Sequence, residues 1–200
     1  MAGEMTEALR PQVIVIAGPN GAGKSTTAPA LVRDLFGVVE FVNADLIAQG
    51  LSAFDTEAVA FQAGKVMLRR LHQLASQQKD FAFETTLSTR SYAPWLADME
   101  ERGYEVNLVF LWLPSPAVAI ARVAERVRLG GHNVPEAVVR RRYARGLANF
   151  FHLYLPIVSR WWFFDNSPAE GPRLLASGKR SRLPDVEDKQ SWETIKERYQ

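Results

Sequence analysis

The sequence predicts an α/β protein with a five-stranded parallel sheet and helices on both faces. Apolar runs typical of buried strands alternate along the chain with segments of helical pattern. A complete G-x-x-x-x-G-K-[ST] motif stands at residues 18–25, between the first apolar run and the first helical segment. These features favour a single domain over residues 1–200, in which residues 168–200 form a C-terminal hairpin and helix extension.

Five apolar runs predict the strands. They cover residues 12–17, 38–43, 81–85, 106–112 and 161–165. Strands of a parallel sheet are buried on both faces, so they are apolar throughout rather than alternating. Ligands of such sheets bind beyond the carboxyl ends of the strands. The residues that directly follow each strand are therefore the first candidates for function.

Helical patterns separate the later strands. They run over residues 55–77, 92–102, 115–130 and 135–154, and a last helix is predicted over residues 192–198. In the first of these, Phe61, Leu68, Leu71 and Ala75 are predicted to form the buried face. The proline and glycine residues after position 167 predict the hairpin of the C-terminal extension.

Composition narrows the function classes. Of the 200 residues, 47% are apolar, which is enough for one sizeable core, and the net charge of +2 gives no reason to expect a nucleic-acid partner. The chain has no cysteine, which excludes disulfides and thiolate metal sites. No signal peptide and no run of about 18 apolar residues is found, so we expect a cytoplasmic protein that does not bind membranes.

The motif at residues 18–25 predicts a nucleotide-binding loop. Its glycines let successive backbone N–H groups point at phosphate oxygens, and the following helix adds its partial positive charge. Lys24 is predicted to reach the outer phosphates, and the Ser25 hydroxyl to hold Mg²⁺. The residues predicted to bind the nucleotide are Gly18, Asn20, Gly21, Ala22, Gly23, Lys24, Ser25 and Thr26.

Acidic residues stand at or just after the ends of the second and third predicted strands. Asp45 is placed to accept a proton from a substrate hydroxyl or to hold a Mg²⁺-bound water, although it could instead cap a helix beginning at Leu46. Glu84, with the hydroxyls of Thr85 and Thr86, suits a polar substrate or a Mg²⁺-bound water, and the alternative is an ordinary turn. After the fifth strand, the loop that contains Asn166 is expected beside the adenine.

An arginine-rich segment follows the fourth strand. Residues 116–150 contain seven arginines and two glutamates, distributed over two predicted helices that a Gly130-Gly131 turn connects. Such a pair can act as the lid of a kinase, because closing it would bring guanidinium groups onto the transferred phosphate. A solvated basic face and an RNA-binding patch are the alternatives, but Tyr143 is the only interleaved aromatic residue.

The ordered set of these motifs resembles the zeta toxin family over about residues 12–167. The resemblance implies an adenylate-kinase-like P-loop kinase that uses ATP and Mg²⁺ to phosphorylate a hydroxyl of UDP-N-acetylglucosamine and that an antitoxin inhibits. It also implies the roles of several residues. Asp45 matches the base, Lys24 and Ser25 match the ligands of ATP and Mg²⁺, Arg126 and Arg142 match the lid arginines, and Glu84 and Thr86 match residues that contact the substrate. The neighbouring Asn43 and Thr85 are also predicted to bind the substrate.

The chain departs from the long toxins in two respects. Thr85 stands where they have glycine, and the chain lacks their longer C-terminal portion. The acceptor therefore stays open: a UDP-sugar is one candidate, and a nucleoside, an antibiotic or an amino-acid derivative is another. An ATPase or switch without an acceptor is a further alternative. In the lid, Arg122, Arg141 or Arg145 could replace Arg126 or Arg142.

Overall fold

The computed structural model describes residues 10–200. The N-terminal residues on which the signal-peptide prediction depends lie outside this range. Within it, one sheet has the strand order β2-β3-β1-β4-β5-β6-β7. The strands are β1 Gln12–Ala17, β2 Phe41–Val42, β3 Phe81–Thr85, β4 Glu105–Trp112, β5 Arg160–Asp165, β6 Arg173–Lys179 and β7 Asp185–Val186.

The fold class is confirmed, but the predicted number of strands is wrong. Strands β1 to β5 pair in parallel, as expected. The C-terminal extension then adds β6 antiparallel to β5, and β7 antiparallel to β6. Without β6, strand β5 would present a row of unpaired backbone groups at the sheet edge, and the extension covers that edge. The sheet therefore has seven strands rather than five.

The helices connect the strands in the predicted order. They are α1 Lys24–Ala30, α2 Ala44–Leu51, α3 Ala60–Ser76, α4 Tyr92–Glu101, α5 Pro116–Arg128, α6 Glu136–Asn149 and α7 Lys189–Tyr199. Helices α1 and α6 each continue into a π-helical turn, Leu31–Leu35 and Phe150–Tyr154 respectively. Among residues 10–200, none of the helices is both long and apolar enough to cross a membrane.

Helix α3 differs from the prediction in its start and in its buried face. It begins at Ala60 rather than near Asp55, and its buried side is Ala63, Met67, Leu71 and Leu74. Phe61 is 77% exposed and Leu68 is also exposed. Only Leu71 and the partly buried Ala75 of the predicted face pack on the core. The buried residues recur every three or four positions, as helix geometry requires, but the stripe is rotated relative to the one predicted.

Strand β1 lies at the centre of the sheet and positions the site. It pairs with β3 on one side and β4 on the other, and residues 13–17 have no solvent exposure. Because β1 to β4 are parallel, their carboxyl ends meet at one edge of the sheet. The loops that leave β1, β2 and β3 therefore converge there.

Candidate active site

The loop after β1 has a shape that only glycine allows. Gly18 has a φ of 142°, and a Cβ atom there would overlap the carbonyl oxygen of Leu111 in β4. A Cβ at Gly21 would lie 2.6 Å from the carbonyl oxygen of Ala119 in α5. Any side chain would push the loop away from β4 and α5. The loop is thus wedged between two neighbouring elements.

Lys24 begins α1 and is only 6% exposed. Its ammonium donates to the carbonyl oxygen of Pro19 at 3.0 Å and lies 3.6 Å from Oε1 of Glu84. Burial lowers the pKa of Lys24, and the carboxylates of Glu84 and Asp45 oppose that shift. The buried charge therefore depends on the acidic residues across the cavity.

Glu84, at the end of β3, connects the loop to β2. Its Oε2 accepts hydrogen bonds from the Ser25 hydroxyl at 2.9 Å and from Nδ2 of Asn43 at 2.7 Å. Hydroxyl and carboxylate oxygens are the ligands that Mg²⁺ prefers, so the pair of Ser25 and Glu84 fits this ion. Among residues 10–200 there is no cluster of three or more His, Cys, Asp or Glu that could hold a metal. Mg²⁺ commonly binds through one or two protein oxygens and substrate phosphates, so it needs no such cluster.

Asn43, not Asp45, caps α2. The helix starts at Ala44, and Oδ1 of Asn43 accepts from the backbone N–H groups of Asp45 and Leu46 at 2.7 and 3.2 Å. The alternative in which the Asp45 side chain caps a helix beginning at Leu46 is therefore wrong. Asp45 lies in the first helical turn and lines the cavity, where its charge acts on Lys24 and Arg142.

Three arginines of the lid, defined here as residues 116–149, line the same cavity. They are Arg122, Arg126 and Arg142. The other four arginines of this segment are exposed and do not line it: Arg128, Arg140, Arg141 and Arg145. The alternative in which Arg141 or Arg145 replaces a lid arginine thus finds no support in the geometry.

Each cavity arginine is held by a hydrogen bond to a neighbouring segment or within the lid. Arg142 donates to Oδ1 of Asn20 at 3.4 Å, and Arg126 donates to the carbonyl oxygen of His132 at 2.7 Å. Arg122 donates to the carbonyl oxygens of residues 166 and 167 at 2.7 and 3.0 Å. Burial lowers the pKa of Arg142, which Asp45 opposes.

Loop, strand ends and lid enclose one cavity of about 580 Å³. Most of the predicted site residues line it: Asn20, Gly21, Gly23, Lys24, Ser25, Thr26, Asn43, Asp45, Glu84, Thr85, Thr86, Arg126 and Arg142. Gly18, Ala22 and Asn166 do not. The side chain of Asn166 donates to the carbonyl oxygen of Ala22 at 2.6 Å, so it supports the loop from behind.

Sequence reasoning missed five cavity residues. Ser88, Thr89 and Tyr92 follow β3, Ala44 begins α2, and Met67 comes from α3. Ser88 and Thr89 had a usable signal, because four hydroxyl residues stand among the five positions 85–89 at the carboxyl end of a predicted strand. Met67 gave no such signal, since it occupies an ordinary core position of an amphipathic helix.

Comparisons with known sequences agree with this geometry. A family model described as zeta toxin matches residues 2–154. An uncharacterized protein of Haemophilus influenzae is 29% identical over 132 residues, which are 66% of this chain and 92% of that protein.

Solved structures share the fold at low sequence identity. A chain of the AvrRxo1-ORF1:-ORF2 structure with ATP matches with a TM-score of 0.73 and 17% identity, over 94% of this chain and 64% of that one. The present chain thus spans less than two thirds of that relative. A chain from the PezAT chromosomal toxin-antitoxin system of Streptococcus pneumoniae matches with a TM-score of 0.60 and 17% identity, over 95% of this chain and 86% of that one.

Proposed function

The chain belongs to the zeta toxin family, and on that premise we propose that it is an ATP-dependent kinase that phosphorylates a hydroxyl of a small molecule. One observation carries the proposal. The phosphate-binding loop, a free carboxylate at Asp45 and the lid arginines open onto the same cavity. A nucleotide switch would need only the first of these, whereas phosphoryl transfer uses all three.

The loop and the lid would hold ATP from opposite sides. Backbone N–H groups of the loop and the Lys24 ammonium bind the phosphates, and Ser25 with Glu84 would hold Mg²⁺. Such an ion would supply positive charge against the negative charge that develops on the phosphates during transfer. Arg126 and Arg142 donate to the oxygens of the γ-phosphate and exclude water when the lid closes.

Asp45 would act as the general base. Its carboxylate accepts the proton of the acceptor hydroxyl while the hydroxyl oxygen attacks the γ-phosphorus. The bond between that phosphorus and the bridging oxygen breaks, and ADP leaves with the electron pair. Since Asn43 caps α2, the helix does not need the Asp45 carboxylate as its cap.

The family resemblance also makes predictions about the acceptor and the protein partner. The resemblance predicts UDP-N-acetylglucosamine as acceptor and an antitoxin as protein partner, and the apolar patterning of the sequence predicts a cytoplasmic location. Relatives support ATP as the phosphate donor and an antitoxin as the partner: one structure contains ATP, and another comes from a toxin-antitoxin system. A different hydroxylated acceptor, or ATP hydrolysis without one, are the alternatives that the first experiment separates.

That experiment measures conversion of ATP to ADP with Mg²⁺, with and without an added hydroxyl compound. We expect turnover to require the acceptor, to disappear in Lys24→Ala, and to disappear in Asp45→Asn while ATP binding is retained. Turnover that no acceptor stimulates would identify an ATPase. Full transfer by Asp45→Asn would overturn the assignment of the base.

A further inference from the structure

The two helices of the lid are joined by residues 129–135, which we call the lid turn. Both helices pack closely on other parts of the site. A Cβ atom at Gly21 of the phosphate-binding loop would lie 2.6 Å from the carbonyl oxygen of Ala119 in α5, and one at Gly146 in α6 would lie 2.5 Å from that of Thr86. These contacts fix α5 and α6, and they leave the position of the lid turn to other interactions.

The side chain of Arg126 depends on the lid turn. Its Nη2 donates to the carbonyl oxygen of His132 at 2.7 Å, and its Nε is buried without a partner among residues 10–200. The backbone of the turn packs directly on it, since a Cβ atom at Gly131 would lie 2.6 Å from Cγ of Arg126. Arg142, by contrast, is held by Asn20, which lies outside the lid. The position of the lid turn therefore sets the direction of the Arg126 guanidinium.

The His132 side chain connects the lid turn to a distant segment. Its Nδ1 lies 3.1 Å from the Thr56 hydroxyl, and the contact is partly buried. Thr56 belongs to residues 52–59, which join α2 to α3 and which we call the arm loop. Asp45 in α2 and Met67 in α3 both line the cavity. The contact thus joins the lid to the helix that carries the proposed base.

The arm loop presents the Thr56 hydroxyl from a turn with hydrogen bonds of its own. The Ser52 hydroxyl accepts from the backbone N–H of Asp55 at 3.2 Å, and Oδ1 of Asp55 accepts from that of Ala58 at 3.1 Å. A hydroxyl both donates and accepts, so it can bond the Nδ1 of either histidine tautomer. The contact therefore does not depend on which ring nitrogen of His132 carries the proton.

We propose that Thr56 and His132 are positioning residues for phosphoryl transfer, whose hydrogen bond holds the lid turn so that Arg126 points at the γ-phosphate. The proposal rests on the proposed kinase function and adds two residues to it. Neither of them lines the cavity, so both act through Arg126. The charge on Arg126 is then correctly placed when the arm loop and the lid turn are in contact.

Removal of the Thr56 hydroxyl tests the role in transfer. Thr56→Val keeps the shape of the side chain and should lower kcat about fivefold, as expected for the loss of one neutral hydrogen bond. The KM for ATP should stay within twofold, because the phosphate-binding loop is untouched. Thr56→Ser keeps the hydroxyl and should keep kcat within twofold of wild type. Equal kcat values in Thr56→Val and Thr56→Ser overturn the proposal.

Matched controls lie in the same two segments. The Glu57 side chain of the arm loop and the Asn133 side chain of the lid turn are exposed. Glu57→Gln and Asn133→Ala should therefore retain wild-type kcat. A fivefold loss in either control would show that any change in these segments lowers kcat, which contradicts a specific role of the Thr56 hydroxyl.

A double-mutant cycle tests whether the effect passes through Arg126. In an Arg126→Ala background, Thr56→Val should leave kcat unchanged, because the guanidinium that the bond positions is already absent. A second fivefold loss in that background would show that Thr56 acts independently of Arg126, and it overturns the proposal.

A spectroscopic measurement tests the positioning without activity. Because Nε of Arg126 is buried, its proton should exchange slowly with water and give a signal in a proton–nitrogen correlation spectrum. Thr56→Val should shift or broaden this signal, and Thr56→Ser and Glu57→Gln should not. An unchanged signal in Thr56→Val overturns the inference and leaves the kinase function standing. Absence of turnover with every acceptor, in a protein that shows the signal, would instead overturn the proposed function on which the inference rests.

Discussion

The cavity has a nucleotide side, formed by the phosphate-binding loop of residues 18–25, and an acceptor half, formed by Asn43, Asp45, Met67 and the loop of residues 85–92. The two are built from different parts of the chain. The nucleotide side consists mainly of backbone: a short loop, wedged against β4 and α5, whose glycines leave no room for side chains. The acceptor half consists of side-chain hydroxyls on a loop whose backbone α6 holds from behind. The first arrangement suits a ligand that many kinases share, and the second can change by single substitutions.

Helix α6 contributes to both halves. Arg142, in its middle, contacts Asn20 of the phosphate-binding loop, while Asn149, at its end, holds Leu87 of the acceptor loop. Between them, Gly146 packs so closely that a Cβ atom would lie 2.5 Å from the carbonyl oxygen of Thr86. Substitutions along this helix should therefore affect ATP-side chemistry or acceptor binding according to their position.

Asp45→Asn should have the largest effect, because Asp45 is the proposed general base. Removing it should lower kcat about 10²- to 10⁴-fold. ATP affinity, measured by calorimetry, should stay within twofold, since Asn43 caps α2 and the fold does not need the carboxylate. Asp98→Asn, on the exposed face of α4, is the matched control and should retain wild-type kcat.

Arg142→Ala should lower kcat about 10²- to 10³-fold, as expected for a group that stabilises charge in the transition state. The acceptor KM should change little, because Arg142 bonds toward the phosphate-binding loop. Arg145→Ala removes an exposed arginine three residues further along the same helix and serves as the control. Equal losses in the two variants would show that overall lid charge, not Arg142, supports transfer.

Asn149→Ala should act on the acceptor half alone. It removes the hydrogen bond that holds Leu87, and a loss of about 1 kcal/mol corresponds to an acceptor KM about fivefold higher. The KM for ATP should stay constant, and steady-state kinetics with each substrate varied in turn separates the two. Asn133→Ala, in the exposed loop of the lid, is the control. A parallel rise in the KM for ATP would argue against two separable halves.

The difference between the backbone-built loop and the side-chain-built acceptor half also explains which features the sequence could predict. The glycine-rich motif and β1 were recognisable because backbone geometry demands particular residues at fixed spacing. Strands β1 and β3 have the predicted bounds, since a buried parallel strand is a continuous apolar run. Local chemistry was sufficient for both.

The remaining features depend on contacts between distant segments. The bond from Asn149 to Leu87 joins residues 62 positions apart, so no local pattern could predict that the hydroxyl loop is fixed. Strand β6 forms by pairing with the free edge of β5, which a local sequence pattern does not reveal. Phe61 and Leu68 are exposed because the packing of α3 on the sheet, and not its periodicity alone, decides which side of the helix is buried. Which of Asp45 and Asn43 caps α2 depends on the residue at which the helix begins, and the structure shows that it begins at Ala44.

Trp192→Ala should have the smallest effect on activity, because α7 belongs to neither half. Trp192 is 2% exposed and stacks on Trp161 with ring centroids 5.4 Å apart, so its loss should cost about 3–5 kcal/mol of unfolding free energy. For a chain of this size that lowers the melting temperature by about 10 °C. At 25 °C, kcat and both KM values should stay within twofold of wild type. A selective change in the KM for ATP or for the acceptor would instead assign the C-terminal extension to one half of the site.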